Sequence, residues 1–440
     1  MRAISTITES GKSNFRTILR RRPSLGLACV IAFAALALAG ISAAQQPATA
    51  LHVFTNGTDG GGPSAGLTAD KKGNLFGTTW SGGNLSCGGG AGCGVIFEEI
   101  APATSGKSWT YSVLYDFTGG SDGCCQLSTP AFDHAGRLYG VTNTGSPGGG
   151  VFQLTPTRSG KWNFAVIRTF DDPTTYDTWT PLVFDKAGKI YAASYYGGLS
   201  GCNFDDGCGN IVQLTPPTTK GAPWTEETLY QFQGGSDGGN PSSTLIAGPH
   251  GVYFGSAAVG GLVTKNCPLG CGVIFQLTPP AGSGGSWTES VIYTFQDAPN
   301  GADPYYLTGG SDALYGQACC EGSANSFNIF KLTPPATGQG AWTKTVIYSF
   351  SKQLGGATYI TVGANGVIYG ANFGEIDFSP GYVFQLKPPA TRGGAWTFTN
   401  FGSPGPSRNP NGVTLGLFGA LYGTLNGGDS DAGAVFALKP

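Results

Sequence analysis

Apolar and polar residues along this chain group into short runs, four to nine residues long, rich in β-branched and aromatic side chains and bounded by Gly, Pro, Asp or Asn. Runs of that length and composition read as β-strands. After residue 44 no stretch sustains a helical period over three turns. One phrase recurs seven times, an apolar residue, an aromatic and a small residue, as in Leu75-Phe76-Gly77, Ile190-Tyr191-Ala192 and Leu421-Tyr422-Gly423. Its aromatics stand at 76, 139, 191, 254, 315, 369 and 422, a period of 52 to 63 residues that marks a repeat architecture.

Each repeat contains four predicted strands, A to D. Strand A ends in a tight turn (Leu182-Val183-Phe184-Asp185-Lys186-Ala187-Gly188), and B carries the aromatic phrase and leads into a Gly-rich loop. C resembles Val273-Ile274-Phe275-Gln276-Leu277 and is followed by Thr-Pro-Pro, and D opens on tryptophan, as in the run from Trp287 to Phe295. Four short antiparallel strands repeated seven times predict an all-β fold, a single seven-bladed β-propeller over residues 51–440. Leading tryptophans occur only six times (Trp109, Trp162, Trp224, Trp287, Trp342, Trp396). The missing strand D is supplied by Leu51-His52-Val53-Phe54, so the N-terminal strand 51–54 is expected to close the last blade. A parallel β-helix or open array would leave the complementarity of the two ends unexplained.

Residues 1–44 read as a signal peptide: Arg20-Arg21-Arg22 precede an apolar run from Leu25 to Ile41, and Ser42-Ala43-Ala44 offers small residues for cleavage. An uncleaved anchor is the alternative, and residues 45–50 form a short linker. Beyond Cys29 the chain has ten cysteines, and three pairs lie in loops between strands B and C: Cys87-Cys93, Cys202-Cys208 and Cys267-Cys271. No histidine lies beside them to complete a zinc site, so disulfides are expected, as suits a periplasmic, cell-surface or extracellular protein. The doublets Cys124-Cys125 and Cys319-Cys320 leave vicinal bridges, other partners and free thiols open.

The phrases Phe117-Thr118-Gly119-Gly120-Ser121-Asp122-Gly123, Gly73-Asn74-Leu75-Phe76-Gly77-Thr78-Thr79 and Gly272-Val273-Ile274-Phe275-Gln276-Leu277-Thr278-Pro279-Pro280 resemble the tandem GloVer repeats of bacterial choice-of-anchor proteins. The resemblance spans nearly all of residues 51–440. It implies an exported repeat protein and carries no activity or catalytic residue with it. Such proteins often end in a sorting anchor; here the sequence ends at the last repeat, so anchoring is expected from the first segment or from a partner.

Strand alternation puts the D–A and B–C connections on one face, called top, and the A–B and C–D connections on the other. The top loops vary in length and hold 15 acids and three bases, whereas the bottom turns and loops hold four acids and ten bases. Variable loops on a rigid scaffold are where binding concentrates, and an acidic field repels nucleic acid. Turn-forming aspartates account for part of this charge. The clusters Asp205-Asp206, Glu375 with Asp377, and Asp429 with Asp431 are candidate Ca²⁺ ligands, although no complete calcium-loop signature is present.

At the start of strand A and the end of strand B, the upper mouth is expected to gather Trp80, Tyr176, Trp179, Tyr195, Tyr196, Tyr305, Tyr306 and Phe373 beside Asn143 and Asn372. Aromatic faces with amides and carboxylates suit polyhydroxylated ligands, so the expected partner is a glycan or a cell-surface protein. A membrane enters this reading only through the first segment.

Catalysis finds little support. Of three histidines, His52 lies in a strand and His134 and His250 in bottom turns, which disfavours a histidine-based triad or metal centre. A carboxylate-dependent glycan-active enzyme and a purely structural surface protein remain the alternatives.

Overall fold

The computed structural model describes residues 48–440 apart from 64, 105, 126–127, 143–148, 171–179, 203–206, 283, 298–300, 311, 320–326, 337–339, 351–356, 373–379, 392, 406–408 and 428–431. The expectations for residues 1–44, for the linker up to 47, and for Asn143, Tyr176, Trp179, Phe373 and the six candidate Ca²⁺ ligands therefore lie outside the described residues. Residues 46–440 form one compact unit, and the described cores draw only on residues 48–438.

That unit is all-β. After β1 (Thr49–Val53), the first repeat supplies β2 (Thr68–Ala69), β3 (Leu75–Thr78), β4 (Val95–Ile100) and β5 (Thr110–Asp116). The second supplies β6 (Ala131–Phe132), β7 (Leu138–Thr142), β8 (Gly150–Pro156) and β9 (Trp162–Thr169). The third supplies β10 (Val183–Phe184), β11 (Ile190–Ser194), β12 (Asn210–Thr215) and β13 (Thr225–Gln231). In the fourth, strand A is split into β14 (Gly239–Pro241) and β15 (Ile246–Ala247), followed by β16 (Tyr253–Val259), β17 (Val273–Thr278) and β18 (Thr288–Thr294). The fifth has β19 (Ala302–Gly309), β20 (Leu314–Cys319), β21 (Asn328–Thr333) and β22 (Thr343–Ser349). The sixth has β23 (Ala357–Val362), β24 (Ile368–Asn372), β25 (Tyr382–Lys387) and β26 (Thr397–Gly402), and the last β27 (Asn409–Leu415), β28 (Leu421–Asn426) and β29 (Ala434–Leu438).

Within each repeat the strands pair antiparallel in chain order. The sixth and seventh repeats share one eight-stranded sheet, joined by a single parallel bridge between Tyr359 and Gly412. Gly412 has a φ of +131°, and its bare Cα lets the backbone approach the Tyr359 side chain. β1 pairs antiparallel with β29, Thr49 opposite Ala437 and Val53 opposite Ala434, so the first and last described strands share a sheet. The strand begins two residues earlier than the sequence suggested.

The recurrent glycine has a steric cause. Gly77, Gly140, Gly255, Gly316, Gly370 and Gly423 lie directly across the sheet from Phe97, Phe152, Phe275, Phe330, Phe384 and Phe436. A methyl group on any of these six glycines would collide with that phenyl ring. The third repeat departs in both partners at once, setting Ala192 opposite Val212. The smaller pair borders a void of about 10 Å³ among Val141, Phe170 and Leu182.

Each described core cluster draws side chains from neighbouring repeats. One joins Phe76 and Ile96 to Leu138 and Phe152, and another joins Leu67, Leu75 and Phe97 to Tyr422 and Val435 of the last repeat. The repeat aromatic also meets the strand-D tryptophan of the next repeat: Phe76 with Trp162, Tyr139 with Trp224, Tyr191 with Trp287 and Phe254 with Trp342, at centroid distances of 5.7, 6.4, 6.0 and 5.5 Å. Tyr422 of the seventh repeat meets Trp109 of the first at 5.2 Å. These aromatics are scaffold. In the first repeat Glu99 takes the position that Leu277 fills in the fourth. It is fully buried, and burial pushes its carboxyl up to about 7.

Candidate functional site

Much of the top-face charge serves the turns. Asp122 accepts from the Thr118 N–H at 2.8 Å and the Tyr115 hydroxyl at 3.0 Å, and Asp237 does the same for Gln233 N–H and the Tyr230 hydroxyl, both at 2.9 Å. Asp59 accepts from the Thr55 N–H at 3.1 Å and pairs with the His52 Nε2 at 3.1 Å. All three stand five residues after a buried Phe, in the sequences beginning at Phe54, Phe117 and Phe232, and each cross-links its own loop.

The expected disulfides form: Cys87–Cys93, Cys202–Cys208 and Cys267–Cys271, with Cα separations of 5.7, 4.8 and 5.2 Å. Cys124 and Cys125 bond each other, and Cys319 is disulfide-bonded. The sulfurs of Cys87, Cys93 and Cys124 lie within 4.8 Å of one another, but all three are in disulfides and so are not thiolate ligands. The bridges pack against the next D–A loop. Gly119 and Gly234 stand so close to Cys87 and Cys202 sulfurs that a side chain there would strike them.

The D–A loop between the fourth and fifth repeats breaks this pattern. Asp297 stands two residues after the buried Phe295, where Asn56, Gly119 and Gly234 follow Phe54, Phe117 and Phe232. All four positions are left-handed, with φ of +67° at Asp297 and +73° at Gly234. Asp297 accepts from the Asn266 amide at 2.7 Å and the Thr264 hydroxyl at 3.2 Å, both from the Cys267–Cys271 loop.

Six residues later the same repeat departs again. Asn240 and Asp303 each precede a proline, have φ of +53° and +45°, and donate their backbone N–H to Cys208 O and Cys271 O at 2.7 and 3.0 Å. The two corners are equivalent, but their side chains are not. Asn240 donates its amide to Tyr195 O at 2.8 Å and Gly207 O at 3.2 Å. Asp303 offers a carboxylate to the counterpart position, where Ala258 and Gly270 stand for Tyr195 and Gly207. Burial pushes the Asp303 carboxyl up to about 6.

Between these elements lies a half-open cavity of about 260 Å³, lined by Tyr195, Asn266, Asp297, Asp303 and Tyr305 and by Pro268 to Gly270 of the disulfide loop. Burial, then Tyr196 and Asp303, push the Tyr195 phenol up to about 12, and burial with Asp303 and Tyr195 raises Tyr305, so both hydroxyls stay protonated donors. The cavity thus combines two aromatic rings, hydroxyl and amide donors and two carboxylates.

The sequence-predicted residues divide. Tyr195 and Tyr305 meet in this cavity. Tyr196 packs edge-on against Tyr195 at 4.7 Å, and Tyr306 packs on Tyr359 at 4.5 Å. Trp80 is exposed in the first repeat and Asn372 is buried at the end of β24, and neither lines the cavity. Asp297 and Asp303 entered the sequence reading only among the 15 acids of the top loops, and Asn266 did not enter it. The signal was present in two substitutions against the repeat: Phe295-Gln296-Asp297 for Phe232-Gln233-Gly234, and Asp303-Pro304 for Asn240-Pro241.

Among the described residues no helix is long and apolar enough to cross a membrane. No family model and no curated protein matches the chain. Solved structures do. The chain is similar to the β-propeller domain of Cps50 (Swd1) from Myceliophteria thermophila, with 9% identity, 89% of this chain and 99% of that one covered, and a TM-score of 0.50. A puromycin-hydrolysing peptidase from Mycobacterium tuberculosis gives 10% identity, 89% and 55% coverage, and a TM-score of 0.51. The soluble aldose sugar dehydrogenase of Escherichia coli gives 13%, 89%, 99% and 0.41. At such identities the likeness concerns the fold alone, and that fold is the β-propeller.

Proposed function

We propose that this chain is an exported, non-catalytic seven-bladed β-propeller of GloVer-type repeats that binds a glycan in the Tyr195–Asp303–Tyr305 cavity of its top face. The blade count is supported by seven antiparallel quartets once the eight-stranded sheet is divided at its single parallel bridge, and by the contact between Tyr422 and Trp109. Export is supported by the disulfides and by the N-terminal sequence.

The observation that carries the ligand class is the cavity itself. Tyrosine faces stack on the C–H surfaces of a sugar ring, while Asp297, Asp303 and Asn266 pair with its hydroxyls. A concave site on the scale of one ring suits a glycan better than the flat surface of a protein partner. Glycan-array binding by the wild type should fall about tenfold or more in Tyr305→Ala and in Asp303→Asn. No sugar bound, or binding untouched by both substitutions, overturns the reading. Asp303 beside Asp297 also permits the carboxylate-dependent enzyme. Release of cleaved product from a bound glycan, abolished in Asp303→Asn, would replace binding with catalysis.

A further inference from the structure

The bottom face is unevenly charged. In the A–B turns and C–D loops of the first three repeats there are nine Lys or Arg and three Asp; in those of the fourth to sixth repeats and the A–B turn of the seventh there are one Arg and one Asp. The three acids are spent on their own turns. Asp70 accepts from Lys72 and Asn74 N–H groups, Asp133 from those of Ala135 and Arg137, and Asp185 from those of Ala187 and Lys189, all at 2.8 to 2.9 Å. Arg137 pairs with Asp133 at 2.6 Å and Lys189 reaches Gln213 at 3.1 Å. The other seven bases are exposed, and none has an ion pair among the described residues: Lys71, Lys72 and Lys107 in the first repeat, Arg158 and Lys161 in the second, Lys186 and Lys220 in the third.

The neighbouring seventh repeat displays an aromatic beside this sector. Its A–B turn places Phe418 at φ +62°, where the fourth and sixth repeats carry His250 and Asn365 at +57° and +58°. A bulky aromatic is an outlier in that conformation. Phe418 is nonetheless 47% exposed at the turn tip. The preceding Leu417 packs directly on Gly73 of the first repeat, so Phe418 adjoins the lysines of that turn. The chain also enters here: Thr49 pairs with Ala437 near the bottom end of β29, eight residues along the sequence from Ile41.

We propose that this face docks on an anionic phospholipid surface, with the basic sector of the first three repeats held at the headgroups and Phe418 inserted between them. Dispersed lysines on small-residue turns match a plane of smeared negative charge and fix no bidentate register. An exposed aromatic held at a strained turn tip gains by burial at the interface, which a soluble polyanion does not offer.

The test is co-flotation of residues 46–440 with vesicles of phosphatidylcholine alone or with phosphatidylglycerol at one part in three. Binding should require the anionic lipid and disappear at high salt. Reversing Lys71, Lys72 and Lys186 to Glu should weaken it about a hundredfold, while Lys387→Glu, outside the sector, should not. Phe418→Asn should weaken it about tenfold while holding or raising the melting temperature, because Asn accepts the left-handed turn. Equal binding to both vesicles, or indifference to the triple reversal, overturns the proposal. Tighter binding to a soluble polyuronate, with Phe418→Asn neutral, replaces the membrane by an acidic polysaccharide.

Discussion

The corner before Pro241 and the corner before Pro304 share one backbone, one left-handed residue and one hydrogen bond to the preceding disulfide loop. The first ends in an amide whose NH₂ group closes on two carbonyls, at a fully buried position. The second ends in a carboxylate that none of the described hydrogen bonds uses, and opens into a cavity. A change of one functional group, NH₂ to O⁻, separates a corner tied to two carbonyls from one that faces a cavity. In a repeat protein, candidate chemistry is therefore best sought where backbone geometry is kept and the side-chain group changes.

Asn240→Asp should give the largest effect. It removes both donated bonds and places a carboxylate at a fully buried position, costing about 3 kcal/mol of unfolding free energy by denaturant titration. A loss below about 1 kcal/mol would mean the two corners are interchangeable. Asp303→Asn should act in the opposite direction and with pH. Burial holds this carboxyl at about 6 against an ordinary value of 3.8, so folding takes up a proton between those values. The stability it contributes is complete below about pH 3.8 and is lost as the pH rises through about 6. The Asn variant should accordingly gain about 2 kcal/mol over wild type at pH 8 and nothing at pH 3.5. A constant difference across that window would dissociate the effect from Asp303 titration. Asp297→Gly should move stability least, within about 1 kcal/mol, because relief of left-handed strain offsets the bonds lost from Thr264 and Asn266. Its mark should be weaker ligand binding at unchanged melting temperature.

The period, the strand order and the pairing of the first strand with the last were legible because strands, turns and aromatic–glycine phrases repeat in register. The acidic top face was legible only as a total. Asp122 and Asp237 cannot be told from Asp297 by charge; they differ in the loop N–H and tyrosine hydroxyl they accept, which appear only in three dimensions. Tyr195 and Tyr305 line one cavity while Tyr306 packs on Tyr359, a division that rests on tertiary neighbours and has no signature in the sequence. Glu99 in a leucine position, like Asp303 in an asparagine position, could have been flagged by aligning the repeats against one another.

Such internal comparison also bears on how the chain can change over generations. Six repeats set glycine against phenylalanine across strands B and C, and the third sets Ala192 against Val212. Recombination that moves whole repeats transfers both halves of the pair together. A breakpoint in the B–C loop, between the third repeat and any other, yields alanine facing phenylalanine or glycine facing valine, one a collision and the other a void. The B–C loop of the third repeat, which carries the Cys202–Cys208 bridge, is thus a poor place to splice, whereas exchange among the other six repeats keeps glycine facing phenylalanine.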